Sequence, residues 1–163
     1  GGGAGIHREG ARPLMPRRPR STLAVMTLRS RLEDFCRAHD LDALYVFGSR
    51  AKEVYRLLDV DRLVFGASSS DVDIGILPPE SAVLPVERKV AIAAGLEDLF
   101  GVSRVDLVVL PEADPFLAVN VIRGERLFVR DSRRIDEYEL FVLRRAGDLA
   151  PFERERLAMI GGA

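Results

Sequence analysis

Cysteine, histidine and long apolar runs are what this chain has least of. A single cysteine, Cys36, leaves nothing for an internal disulfide framework and suits a reducing, cytoplasmic setting. Two histidines and that one cysteine, scattered along the chain, cannot assemble a zinc site. No apolar stretch approaches the roughly 18 residues that a membrane-spanning helix needs, so no membrane association is expected. An excess of positive charge is missing too, since the formal net charge is −1. Five arginines and one acid (Glu9) fall within residues 1–25, which leaves the rest with 19 basic against 24 acidic residues. An acidic body offers no broad basic surface for phosphate backbones, so the folded part is not expected to bind nucleic acid directly.

What is present points to one folded unit. With 163 residues and 47% hydrophobic content, the chain suits a single domain with one sizeable core. Its chemistry gathers in two short stretches, Val46-Phe47-Gly48-Ser49-Arg50-Ala51 and Ser70-Asp71-Val72-Asp73-Ile74. Val72, Ile74 and Ile76 alternate with Asp71, Asp73 and Gly75, the period of a strand, and Pro78-Pro79 stops it. Residues two apart on a strand share a face, so Asp71 and Asp73 present both carboxylates to one point. Such a pair repels and pushes one member toward protonation unless a cation intervenes. A divalent ion that prefers oxygen resolves the conflict, and Mg2+ is the usual one. Asp106, inside the apolar run Val105–Leu110, is a third carboxylate that is costly to bury without a role. It reads as a third ligand or a base; the plainer alternative pairs it with Arg104 or Arg50. Gly48 permits a tight turn and close backbone approach, and Ser49 is placed to cap the following helix. A helix N-terminus there would present free N–H groups to phosphate.

Around these stretches the chain divides simply. Residues 1–25, rich in Gly, Pro and Arg without period, read as a disordered basic arm, and 26–163 as the folded domain. The arm admits three readings: a nucleic-acid contact, a targeting peptide, or a translation start placed upstream of Met26, which is favoured. Leu28, Leu32, Phe35 and Cys36 form a helical stripe, making Cys36 a packed core thiol, with His39 at the helix end. Ala43–Phe47 is a continuous apolar run of central-strand length, followed by a helix with Ala51, Val54, Tyr55 and Leu58 inward. A helix over 86–99 uses Val90, Ala93, Ala94 and, more weakly, Leu96, with Leu99-Phe100 closing it and Gly101 as its C-cap. A strand at 104–110, a short helix at 116–122, a strand at 127–129 and two helices, 135–150 and 152–160, complete the chain. The last pair carries a stripe of Tyr138, Phe141, Val142, Leu149 and Leu157. The alternation predicts an α/β (α+β) domain built on a small mixed β-sheet flanked by helices.

Gly-Ser, then Asp-x-Asp, then a third acid on a later strand is a pattern that resembles the polymerase-beta-like nucleotidyltransferase superfamily. The resemblance runs from about Met26 onward and includes a closing Gly-x-x-Leu-Phe strand at Gly124–Phe128. Within it the chain is most similar to the minimal nucleotidyltransferases, which are often paired with HEPN-type toxins. The chain departs from the family pattern in its longer segment between Gly-Ser and Asp-x-Asp, where Arg62–Gly66 reads as a short added strand. The resemblance implies a nucleotidyltransferase fold and a Mg2+-dependent transfer of AMP from ATP to an acceptor hydroxyl. It implies that Gly48 and Ser49, with Arg50 and Ser70, bind the nucleotide, and that Asp71, Asp73 and Asp106 hold two Mg2+ ions. Asp106 would also help deprotonate the acceptor, which would be a tyrosine of a cognate HEPN-type toxin. Two alternatives go with it: an antitoxin acting by occlusion without catalysis, and a small-molecule (antibiotic) nucleotidyltransferase.

Overall fold

The computed structural model describes residues 26–60, 71–80 and 82–161. The arm 1–25, the added strand at 62–66 and Ser70 lie outside the described residues. Helix α1 (Leu28–Ala38) starts where the Thr27 hydroxyl accepts from the Ser30 N–H, satisfying an otherwise orphaned donor. Its buried stripe is Leu28, Leu32 and Cys36, with Phe35 stacked on His39 at 4.3 Å between ring centres. Burial pushes the Cys36 thiol up to about 12, so it is a packing group with no nucleophilic character.

Strand β1 (Ala43–Phe47) is buried along its whole length. Leu44 and Val46 enter one core with α1, α2 (Ala51–Arg56) and α3 (Val86–Phe100). Ala43, Tyr45 and Phe47 enter a second core with α4 (Pro115–Ile122) and α5 (Ser132–Gly161). This is why the run is apolar without alternation: helices cover both faces of the strand. The other strands are β2 (Val72–Leu77), β3 (Val105–Val109) and β4 (Glu125–Val129), and the sheet order is β3-β2-β1-β4. β1 pairs antiparallel with both β2 and β4, whereas β2 and β3 run parallel, joined through α3 as a parallel pair requires. The expected small mixed sheet flanked by helices is therefore observed, with five α-helices around four strands among the described residues.

Three expectations need correction. α3 packs through Leu96 and Phe100 as expected, but with Ile92 in place of Val90, which is 62% exposed. Its segment is apolar on more than one face (Ala91-Ile92-Ala93-Ala94), so spacing alone could not choose the phase. The expected break before Phe152 is absent: α5 continues through Pro151 as one helix of 30 residues. Proline removes one N–H and crowds the carbonyl four residues earlier. Here that residue is Gly147. The α5 stripe is also narrower than expected. Ile135, Val142 and Ala146 are buried, whereas Phe141 and Leu157 are exposed.

α5 is fastened to the sheet by a charged fork. Arg126 on β4 donates to both Glu139 oxygens, at 3.0 and 2.7 Å, and to Asp136 at 2.7 Å. The buried Tyr45 hydroxyl donates to the same Glu139 at 2.8 Å. Bidentate guanidinium–carboxylate pairing is directional, so this contact sets the angle of α5 as well as its distance. No helix among the described residues is long and apolar enough to cross a membrane.

Candidate functional site

The site is built where β1 ends. After Phe47 the chain turns through Gly48, at φ +76°, and α2 begins at Ala51. A left-handed φ favours glycine on its own, but a second constraint is stronger. A Cβ on Gly48 would run into Asp73 Oδ2 and come within 3.2 Å of Asp73 Cγ. The glycine is thus the floor on which the Asp73 carboxylate rests, which joins the two sequence motifs into one feature.

Ser49 is exposed on this turn but does not cap α2, contrary to expectation. The N-cap position belongs to Arg50, with no side-chain cap. The turn uses Gly48–Arg50 before helical geometry begins, which places the serine one residue too early. The Arg50 side chain is buried and directs its Nε and Nη2 to Glu53 at 3.1 and 3.3 Å. It braces the turn from below.

The sheet register assembles the carboxylates. Asp73 on β2 stands opposite Phe47 on one side and Asp106 of β3 on the other. Asp71 precedes β2 by one residue, and the adjacent Val72 N–H donates to the Arg104 carbonyl at 3.2 Å. Asp71 and Asp73 thus face Arg104 and Asp106 across the two strands. Arg104 Nε lies 3.0 Å from Asp106 Oδ1 and 3.7 Å from Asp71 Oδ2. Burial, then the charges of Asp106 and Asp71, push the Asp73 carboxyl above its ordinary value. Among the described residues, no three acidic, histidine or cysteine side chains are closed into a ready ligand set. Instead, the Arg104 guanidinium takes up two of the carboxylates.

The donor set still fits a hard cation. It consists of carboxylate oxygens, it carries three negative charges against one arginine, and Asp73 is held in a state that positive charge would relieve. Arg104 is 67% exposed, so it can leave without disturbing the core.

On the other side of the Gly48 turn lies a cleft of about 380 Å3, where Gly48, Ser49 and Lys52 face Asn120, Arg123 and Glu125. Lys52 and Arg123 form no ion pair among the described residues, so two cations border the cleft. Gly124 permits the close approach that forms this wall: a Cβ there would strike the Val46 carbonyl oxygen and sit 3.0 Å from Phe47 Cα. Asn120 and Arg123 were not singled out by sequence, because α4 meets β1 only in the tertiary fold. Arg104 did leave a signal, the same i, i+2 spacing with Asp106 that links Asp71 to Asp73. Apolar hollows around Tyr138 and Phe141, of about 240 and 580 Å3, share no residue with the carboxylates.

Residues 30–133 match the family model described as Polymerase beta, Nucleotidyltransferase. No curated protein matches the chain in sequence. Among solved structures, the chain resembles one chain of a toxin–antitoxin complex with AMP-PNP, at TM-score 0.60 and 21% identity, over 81% of this chain and 94% of that one. A mutant toxin–antitoxin complex, MntA–HpeT, matches equally well, at TM-score 0.60 and 20% identity over the same shares. A third is a tri-AMPylated Shewanella oneidensis HEPN toxin in complex with MNT antitoxin, at TM-score 0.55 and 22% identity, over 82% of this chain and 92% of that one. At these identities the likeness is one of fold.

Proposed function

Because the chain belongs to the polymerase beta nucleotidyltransferase family, we propose that it transfers AMP from ATP to a tyrosine hydroxyl of a HEPN-type toxin and so acts as an antitoxin. One observation carries the catalytic part: Asp73 rests on Gly48 and stands opposite Asp106, which couples the phosphate turn to the acidic group. The partner is supported by the fold neighbours, one of which contains a tri-AMPylated HEPN toxin with its MNT antitoxin.

In this reading the Gly48–Ser49 turn receives the β- and γ-phosphates, through backbone N–H groups and the exposed Ser49 hydroxyl. Lys52 and Arg123, across the same cleft, balance their charge. Arg50 keeps the turn in shape through Glu53, and Ser70 would contribute from the segment leading into Asp71. Asp71, Asp73 and Asp106 would hold two Mg2+ ions, which when bound supply charge neutralisation of the phosphates and a more acidic acceptor hydroxyl. Asp106 takes the proton from the acceptor hydroxyl. The acceptor oxygen bonds to the α-phosphorus, the bond from that phosphorus to the bridging oxygen of the β-phosphate breaks, and pyrophosphate leaves. The contribution of the chain is mainly positioning and charge balance.

The test uses the full chain with Mg2+, its HEPN-type partner and ATP labelled at either the α- or the γ-phosphate. Label from the α-position is expected on the toxin and label from the γ-position is not. Asp106→Asn should slow transfer while leaving the complex intact, because a lost base or ligand acts on the transition state more than on docking. No α-label on the toxin, with parent and Asp106→Asn silencing it equally, would replace catalysis by occlusion. Transfer to an aminoglycoside-like small molecule in place of the toxin would redirect the acceptor assignment. Transfer of γ-label would overturn the nucleotidyl chemistry itself.

A further inference from the structure

Arg104 occupies an odd position for a surface arginine. It is the fourth corner of a cross-strand square whose other corners are Asp71, Asp73 and Asp106. Its place is fixed by the parallel register of β2 and β3, with the Arg104 carbonyl accepting from Val72 N–H at 3.2 Å. From that corner its Nε reaches Asp106 at 3.0 Å and Asp71 at 3.7 Å. Residues two apart on a strand share a face, so the side chain of residue 104 must point where that of residue 106 points. Cross-strand neighbours of opposite charge attract, and without Arg104 these two strand ends would set three carboxylates together with no cation between them among the described residues.

We propose that Arg104 is an internal counter-ion that competes with divalent metal for the carboxylates of Asp71 and Asp106. The inference rests on the reading of these acids as the metal-holding group and adds a regulator to it. In the metal-free chain the guanidinium suppresses repulsion and keeps the acids in one place. A metal must displace it to gain those oxygens, so affinity for the metal alone is held down. The guanidinium is exposed and its stem flexible, which makes exchange fast and leaves β3 undisturbed.

The test is binding of Mn2+, read as the loss of the free-ion electron paramagnetic resonance signal, to the full chain without nucleotide. Four proteins are compared: the parent, Arg104→Ala, Arg104→Lys and Asp73→Asn. Partly exposed ion pairs are weak, so removing the competitor should tighten Mn2+ binding by about threefold to tenfold. Lysine keeps the charge but loses the fork, so Arg104→Lys should fall between parent and alanine variant. In chelator the alanine variant should melt below the parent, and Mn2+ should raise its melting temperature by more than it raises the parent's. Equal or weaker Mn2+ binding by Arg104→Ala, with Asp73→Asn still impaired, would overturn the counter-ion while leaving the metal site standing. No Mn2+ binding by parent or alanine variant would overturn both.

Discussion

Replacing Gly48 by alanine separates two reasons for a glycine that sequence cannot tell apart. Gly48 and Gly101 both adopt left-handed backbone, at φ +76° and +66°. A non-glycine residue there costs about 1–2 kcal/mol. At Gly101 nothing lies within 4 Å of an added Cβ, so Gly101→Ala measures that backbone cost alone. For a chain of this size it amounts to a melting temperature lower by roughly 2–8 °C. At Gly48 the added Cβ meets Asp73 Oδ2, the end of a side chain that can rotate aside. Gly48→Ala should therefore lose about as much stability as Gly101→Ala, yet lose metal binding and transfer because Asp73 has been turned away from Asp106. Gly124→Ala completes the series from the opposite direction. Its Cβ would meet the backbone of Val46 and Phe47 in a buried central strand, which cannot rotate away. Overpacking there should cost about 1–3 kcal/mol. Denaturant melts, Mn2+ binding and α-label transfer on all three variants make the comparison. Near-parental transfer by Gly48→Ala, or equal losses of transfer at 48 and 101, would refute the coupling of turn and carboxylate.

The remaining predictions concern charge and burial. The folded Asp73 carboxyl binds its proton more tightly than the unfolded one, so its ionised form costs stability above the folded pKa. In chelator, Asp73→Asn should stabilise the chain near pH 7, and the gain should vanish as pH falls below the ordinary carboxylate value of 3.8; a gain that grows in acid would contradict the assigned cause. Tyr45→Phe removes a buried hydroxyl that donates to Glu139 but leaves Glu139 held by Arg126, so it should cost only about 1 kcal/mol in a denaturant titration. A loss above about 3 kcal/mol would mean that the hydroxyl, and not the arginine fork, positions α5.

Much of this molecule was legible in the order of its residues. The unbroken apolar run of β1, the alternation in β2, the Leu28–Leu32–Cys36 stripe and the Gly101 cap are local patterns with a fixed period, and the elements formed where they lay. Gly-Ser stood out by turn chemistry, Asp-x-Asp by strand period and Asp106 by its place in an apolar run, although the Asp106 side chain is 42% exposed and paired with Arg104. Phase and partnership were not legible. Ile92 rather than Val90 faces the core because the helix is apolar on several sides and only the sheet selects one. α5 runs through Pro151 although a proline inside a helical pattern reads locally as a break. Arg104 meets Asp71, Asp73 meets Gly48, and Arg123, just past the end of α4, joins Ser49 only through the register of strands distant in sequence. Sequence fixes which side chains share a face, since that follows from backbone period alone. Which faces meet depends on how the strands order and align, and that is decided when the two cores on either side of the sheet close.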